Sequence, residues 1–115
     1  MGSLDYEVSA LGFGAMRLPS KRINRISADP GQAKKIIRSG VDQGINYIDT
    51  AYVYPGSEKA VGEALRDGYR DKVWLVSKSP LPLIRKAEDF DKHLATSLGR
   101  LQTDHLDIYL SLIHI

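Results

Sequence analysis

Cysteine is missing from this 115-residue sequence. Its absence excludes a disulfide framework and a thiolate metal site within these residues, and it fits a reducing compartment. The sequence also lacks any apolar run near the roughly 20 residues that a transmembrane helix needs, and its N-terminus has no hydrophobic signal segment. We therefore expect a cytoplasmic protein that is not embedded in a membrane.

A strong excess of charge is also missing. Sixteen basic and fourteen acidic residues are mixed along the chain and give a formal net charge of +2. This balance gives no argument for a nucleic acid or a membrane surface as a partner. We interpret one local basic excess as a solvated loop, and it comprises Arg17, Lys21, Arg22 and Arg25. His93 and His105 are predicted to be surface residues, so no metal site is expected.

Apolar runs, turn residues and helical periodicity predict the order β-α-β-α-β-α-β. The predicted strands lie near Leu11–Gly14, Ile45–Ile48, Val73–Val76 and Leu106–Leu110. Asp29, followed by Pro30, is expected to cap a first helix with Ala33, Ile36, Ile37 and Val41 at its apolar positions. Ser57 is expected to cap a second helix, and a third is expected from about Ala87 to Gln102. Residues 20–28 are polar and aperiodic, which predicts a loop.

Apolar strands that alternate with amphipathic helices predict a parallel sheet covered by helices. Two architectures stay open at this point: a doubly wound sheet, or part of a (β/α)8 barrel. A closed barrel usually needs roughly 250 residues, whereas this chain has enough for about four strands. In either architecture the functional end of the sheet is the carboxyl end of its strands.

Three residues with acid–base side chains are predicted to follow strand ends. Asp49 follows the second predicted strand, Tyr54 lies five residues later in the loop, and Lys78 follows the third predicted strand. Adjacent parallel strands lie about 4.8 Å apart, so Asp49 and Lys78 can form a salt bridge. An ammonium beside a phenol lowers the phenol's pKa, which suits a general acid that protonates a carbonyl oxygen. The alternative is structural: Asp49 accepts backbone hydrogen bonds, Tyr54 packs on the loop, and Lys78 is solvated.

Longer motifs carry a resemblance. The run Gly44-Ile45-Asn46-Tyr47-Ile48-Asp49-Thr50-Ala51, with Tyr54, Ser57-Glu58 and Val61-Gly62-Glu63-Ala64-Leu65 after it, resembles the signature of the aldo/keto reductase superfamily. Val76-Ser77-Lys78 is similar to that family's lysine strand, and Leu11–Leu18 is similar to its first strand and exit. The resemblance covers about Val8 to Tyr109. It implies α/β architecture with parallel (β/α) units that form the first half of a (β/α)8 TIM barrel.

The same resemblance implies a chemistry. It assigns Tyr54 as the proton donor, Asp49 and Lys78 as the pair that tunes it, and Tyr52 as pocket lining. Gly14, Ala15 and Met16 match a segment beside the nicotinamide ribose, and Asp49 shares in cofactor binding. The implied cofactor is NADPH (NADP), and the implied partner is a small-molecule aldehyde or ketone. A non-catalytic regulatory module is the alternative, because the superfamily includes channel-associated subunits.

The last six residues depart from the family pattern. The pattern D-x-Y-L-x-H matches Asp107, Tyr109 and Leu110, but position 112, where the catalytic histidine belongs, is Leu112. His114 lies two residues after that position, and three explanations are open. In the first, the strand is shifted by two residues, which keeps His114 on the same face of the sheet; in the second, His114 simply ends the strand; in the third, residues 110–115 are not native. We favour the third explanation, because residues 110–115 are what CTG-TCT-CTT-ATA-CAC-ATC, a common sequencing adapter, encodes.

This interpretation predicts the domain organisation. Residues 1–109 are expected to form the N-terminal half of a barrel, and residues 110–115 a tail of non-native origin. The chain alone is then expected to lack the catalytic histidine and the cofactor groups of later strands, and to be inactive. Met16-Arg17-Leu18-Pro19 resembles a bacterial and archaeal branch, some of whose members carry an iron–sulfur segment that this sequence does not contain. Substrate and oligomeric state stay open.

Overall fold

The computed structural model describes residues 5–21 and 24–112. Its strands are β1 Phe13–Gly14, β2 Ser20–Lys21, β3 Asn24–Ala28, β4 Tyr47–Asp49, β5 Trp74–Pro80 and β6 Ile108–Leu112. Its α-helices are α1 Pro30–Asp42, α2 Ser57–Ala64 and α3 Ala87–Leu101, with short 3₁₀ turns at Tyr69–Lys72 and Leu81–Leu83. Among these residues no helix is both long enough and apolar enough to cross a lipid bilayer.

The main sheet has four parallel strands in the order β1-β4-β5-β6. Within the described residues each new strand therefore adds to the same edge of the sheet. A doubly wound sheet reverses its direction of growth at a switch point, whereas a barrel does not. The structure thus decides between the two predicted architectures in favour of barrel-type winding.

The helices cover one face of this sheet and bury its core. Ile48 and Leu75, which are neighbours in register, are fully buried there together with Ile37, Val61 and Leu101. Side chains alternate along a strand, so Tyr47 and Asp49 lie on the opposite face from Ile48 and are only partly buried. The polar residues of β4 therefore lie on the face of the sheet opposite to α1, α2 and α3.

Helix α1 begins as predicted. The Asp29 side chain accepts hydrogen bonds from the backbone N–H groups of Gly31 and Gln32, and Pro30 is the first helical residue. Of the four apolar residues predicted for this helix, Ala33, Ile37 and Val41 face the core, whereas the Ile36 side chain is 45% exposed. Ile36 lies one position away from the buried stripe, so helical rotation turns it toward solvent.

Two predictions were wrong. The described part of residues 20–28 is not a loop, because β2 and β3 pair as an antiparallel ribbon, and Asp29 N donates to Pro19 O (2.6 Å) where the ribbon ends. A two-residue strand is too short to show periodicity. Ser57 does not cap α2: Gly56 stands at the cap position with φ 70°, and Ser57 is a buried first-turn residue. The Ser57 hydroxyl is used instead for tertiary hydrogen bonds.

Candidate active site

The predicted site residues meet at the carboxyl end of the parallel sheet. Asp49 is the last residue of β4 and pairs in register with Val76 of β5. Lys78 lies two positions past Val76. Both residues were predicted to follow their strands, but Asp49 belongs to β4 and Lys78 to β5, which continues beyond this lysine. Tyr54 belongs to the segment 50–56, which joins β4 to α2. Parallel strands bring their carboxyl ends to one edge of a sheet, which explains why residues 29 positions apart come together.

Lys78 is the centre of this cluster. Its Nζ atom forms an ion pair with Asp49 Oδ1 and donates a hydrogen bond of 2.9 Å to the backbone oxygen of Thr50. The Lys78 side chain is 12% exposed and that of Asp49 is 32% exposed, so the pair lies at the rim of the sheet. The predicted salt bridge between Asp49 and Lys78 is confirmed.

Tyr54 contacts the same ammonium group. Lys78 Nζ lies over the Tyr54 ring, 5.2 Å from the ring centroid, which is within the range of a cation–π contact. Tyr47, on the same face of β4 as Asp49, is a second phenol that the sequence analysis did not assign. Burial, reinforced by the Asp49 carboxylate, raises the pKa of Tyr47, and Lys78 partly opposes this effect.

A buried pair of hydroxyl groups joins the start of the segment 50–56 to the first residue of α2. Thr50 Oγ1 and Ser57 Oγ lie 2.6 Å apart, and the Ser57 hydroxyl donates to the backbone oxygen of Ala15 at 2.7 Å. Ala15 N in turn donates to Asp49 O at 2.8 Å. These bonds join the first residue after β4, the start of α2 and the exit of β1, so the segment that carries Tyr54 has fixed ends.

The predicted cofactor segment, which comprises Gly14, Ala15 and Met16, lies beside this pair of hydroxyl groups. Gly14 and Asp49 are register partners on β1 and β4. Gly14 is exposed, and a Cβ atom placed on it would meet nothing within 4 Å. Ala15 is fully buried, and Met16 is 50% exposed. The structure therefore places Gly14 and Ala15 next to Asp49, with open space at the glycine and Met16 exposed just beyond them.

A second polar cluster near Tyr54 was not predicted. The Glu58 side chain is 1% exposed, and its carboxylate accepts from Ser77 Oγ (2.6 Å) and from Arg100 Nη1 (3.2 Å). Arg100 also contacts the Tyr52 backbone oxygen and ring. Glu58 could have been suspected from its place in the family motif, but nothing in the sequence points from Glu58 to Arg100, 42 residues later.

Two surface cavities lie at opposite ends of the sheet. One, of about 280 Å³, is bounded by Tyr52 and Tyr54 and by Glu58, Lys59 and Arg100. The other, of about 330 Å³, lies at the amino end and includes Arg70, Trp74 and Asp107. Arg70 and Asp107 form an ion pair there at 3.0 Å. The larger cavity is thus remote from the Asp49–Lys78 pair.

The histidines have different surroundings. His105 is exposed as predicted and contacts Asp104 at 2.7 Å, which lowers the pKa of the Asp104 carboxyl through a hydrogen bond. His93 is partly buried, because its ring packs edge-on against Tyr52 with 4.7 Å between the centroids. His114 lies outside the described residues. Within the described part of the chain, no group of three or more histidine, aspartate or glutamate side chains is arranged to hold a metal.

Comparison with known protein sequences finds members of the aldo/keto reductase family. The sequence profile of the aldo/keto reductase family matches residues 10–114. Methylglyoxal reductase YeaE of Escherichia coli is 46% identical over 76 residues, which are 64% of this chain and 26% of that protein. Aldo-keto reductase YhdN of Bacillus subtilis is 35% identical over 113 residues, which are 90% of this chain and 34% of that protein.

Solved structures agree with the sequence comparison. An aldo/keto reductase from Klebsiella pneumoniae in complex with NADP and acetate is 39% identical and superposes with a TM-score of 0.77. The superposition covers 90% of this chain and 35% of the Klebsiella chain. The chain therefore spans about a third of the length of this relative.

Proposed function

Because the chain belongs to the aldo/keto reductase family, we propose that residues 1–109 are the first half of a barrel that reduces aldehyde and ketone carbonyls with NADPH. The observation that carries this proposal is the position of Lys78. One ammonium pairs with Asp49 and lies over the Tyr54 ring at the carboxyl end of the sheet. Barrel enzymes place their active sites at this end.

The three residues have distinct roles in this proposal. The Tyr54 hydroxyl donates its proton to the oxygen of the substrate carbonyl. The Lys78 ammonium stabilises the negative charge that remains on the Tyr54 oxygen, and its hydrogen bond to Thr50 O holds it at the strand end. Asp49 pairs with Lys78, and this pairing orients the lysine.

The surroundings of Asp49 fit a nicotinamide cofactor. Gly14 leaves open space beside Asp49, and Met16 is half exposed on the same strand exit. Gly14, Met16 and Asp49 would hold the ribose end of the cofactor, whereas Ala15, between Gly14 and Met16, is fully buried and offers no surface to it. A bound NADPH would supply the hydride that no side chain can supply. The complex of the Klebsiella relative with NADP supports this choice of cofactor.

The test requires a complete barrel. We define it as the full reading frame that contains residues 10–109, or a chimera in which these residues replace the matching segment of the Klebsiella reductase. We expect NADPH oxidation that depends on an added aldehyde such as methylglyoxal, a substrate class named for the E. coli relative. The isolated 115-residue chain should show neither turnover nor tight NADPH binding in a fluorescence titration.

The Tyr54→Phe variant of the complete barrel tests the proton donor. Loss of a general acid should lower kcat by about 10²- to 10⁴-fold, while the dissociation constant for NADPH stays within about twofold. Tyr69→Phe is the matched control, because Tyr69 lies on the turn before β5 and its hydroxyl donates to Asp42, away from Lys78. Wild-type activity in Tyr54→Phe would remove Tyr54 from its role. A complete barrel that binds NADPH without oxidising it would instead indicate a regulatory module.

A further inference from the structure

We propose that the Glu58–Arg100 ion pair positions the proton donor: Arg100 holds Tyr52, and through it Tyr54, against Lys78. This inference rests on the proposed function. The Glu58 side chain is 1% exposed, and a buried carboxylate is costly unless it is paired. Both of its oxygens are used, one by Ser77 on β5 and one by Arg100 on α3.

Close packing of the helices brings Arg100 to this carboxylate. Gly62 lies one turn after Glu58 on the same face of α2. A Cβ atom on Gly62 would lie 2.5 Å from Arg100 O and 2.9 Å from Leu101 backbone atoms, so α2 and α3 touch through their backbones. The last turn of α3 is therefore held against α2, and the Arg100 side chain is within reach of Glu58.

Tyr52 receives the remaining contacts of Arg100. Arg100 Nη1 donates to Tyr52 O at 3.2 Å, and the guanidinium carbon lies 4.5 Å from the centroid of the Tyr52 ring. Tyr52 N donates to Lys78 O at 3.4 Å, so both peptide groups of Tyr52 are held, one by β5 and one by α3. The next bond along the segment runs from Tyr54 N to Ala51 O at 3.2 Å.

These bonds form a path from the buried carboxylate to the donor. Glu58 orients Arg100, Arg100 holds Tyr52, and the turn closed by Ala51 and Tyr54 presents the Tyr54 ring to Lys78. A displacement of about 1 Å at a reacting group can lower a rate about 100-fold. Arg100 is thus a positioning residue for a reaction that it does not itself touch.

Arg100→Ala in the complete barrel is the direct test. We expect kcat to fall about 10- to 100-fold, while the dissociation constant for NADPH changes less than about twofold. Because the defect lies at the proton donor, the solvent deuterium isotope effect on kcat should increase. A purely structural loss would lower the active fraction and leave this isotope effect unchanged.

Chemical rescue sharpens the test. Arg100 and Glu58 line the open 280 Å³ cavity, so a small guanidinium ion can reach the space that the truncated side chain leaves. Millimolar ethylguanidinium should restore part of kcat in Arg100→Ala. It should not raise kcat in Arg70→Ala, the matched control, whose ion pair lies at the opposite end of the sheet.

The outcomes separate the two proposals. A wild-type barrel that reduces carbonyls, together with an Arg100→Ala variant of unchanged kcat and isotope effect, would overturn the positioning role alone. A wild-type barrel without reductase activity would overturn the proposed function. If Arg100→Ala does not fold, Glu58→Gln decides: a lower kcat with a larger isotope effect supports the inference, and unchanged values contradict it.

Discussion

The two ends of the parallel sheet each carry a partly buried ion pair, and the two pairs are built differently. At the carboxyl end, Lys78 of β5 pairs with Asp49 of β4, with side-chain exposures of 12% and 32%. At the amino end, Arg70 pairs with Asp107 at 3.0 Å, with exposures of 16% and 14%. Burial alone therefore does not distinguish a site from a structural pair.

At the amino end, Arg70 donates hydrogen bonds to several other protein groups. Arg70 donates to Thr103 Oγ1, to Val73 O and to His105 O in addition to Asp107. Asp107 Oδ2 also accepts from Leu75 N at 2.8 Å. The planar guanidinium is suited to such a fixed set of partners. This pair joins the turn before β5 to the start of β6 and is a structural element.

The carboxyl-end pair has hydrogen-bonding capacity left over. In the described part of the chain the Lys78 ammonium has two hydrogen-bond acceptors, Asp49 and Thr50 O, for its three N–H groups. Its further neighbour is the ring of Tyr54. The Arg70 guanidinium instead donates hydrogen bonds to groups of three residues besides its paired carboxylate. The number of protein partners that fix the cation, more than burial, therefore separates the two ends.

Of the variants that test this comparison, Lys78→Met in the complete barrel should have the largest effect on kcat. The variant removes the charge that stabilises the Tyr54 oxygen, so we expect kcat to fall about 10²- to 10⁴-fold. Asp49 stays partly exposed and can be solvated, so the midpoint of urea unfolding should move little. Steady-state kinetics and urea denaturation measure the two quantities. Unfolding of Lys78→Met without heat or urea would show that this pair too is structural.

Arg70→Met should have the reverse effect. It leaves the Asp107 carboxylate largely buried without its charged partner, and such losses cost about 3–5 kcal/mol of unfolding free energy. We expect kcat per folded molecule to stay near the wild-type value, because Arg70 lies at the end of the sheet away from Tyr54. The double variant Arg70→Met/Asp107→Asn is the control and should recover part of the loss. A kcat that falls with full stability would contradict the comparison.

The sequence could predict one of these pairs and not the other, for physical reasons. Asp49 and Lys78 each follow an apolar run, and the 4.8 Å spacing of parallel strands brings such positions together. Arg70 lies on a 3₁₀ turn, where the sequence has no period, and its contact with Asp107 depends on how that turn packs. Local propensity cannot show such tertiary geometry.

Tertiary contacts that the sequence does not show also decide the roles of Ser57 and Glu58. A serine before a helical run predicts a cap, but Gly56 takes that position and leaves the Ser57 hydroxyl for Thr50 and Ala15. The pairing of Glu58 with Arg100 requires the close approach of two helices at Gly62, which a single sequence does not reveal. The roles of Asp49, Tyr54 and Lys78, and the origin of residues 110–115, stay predictions.

The smallest predicted effect is a pH dependence at the amino end. The Tyr69 hydroxyl donates to both oxygens of Asp42, at 3.0 and 3.2 Å, and this hydrogen bond, with some help from burial, raises the pKa of Tyr69. A raised pKa means that the folded state holds the proton more tightly than the unfolded state. The contribution to stability is therefore complete below about pH 10, the ordinary value for tyrosine, and is lost as the pH rises through the folded-state pKa.

Urea unfolding between pH 8 and about pH 11 checks this prediction. Wild type should lose stability more steeply than Tyr69→Phe as the pH rises, and the difference between the two curves cancels the titration of Tyr47, Tyr109 and the lysines. Asp42→Asn keeps the phenol but removes the carboxylate, so it should flatten the curve in the same way. Parallel curves for all three proteins would mean that Tyr69 and Asp42 do not interact in solution. The amino end would then owe its stability to the Arg70–Asp107 pair without this second contact.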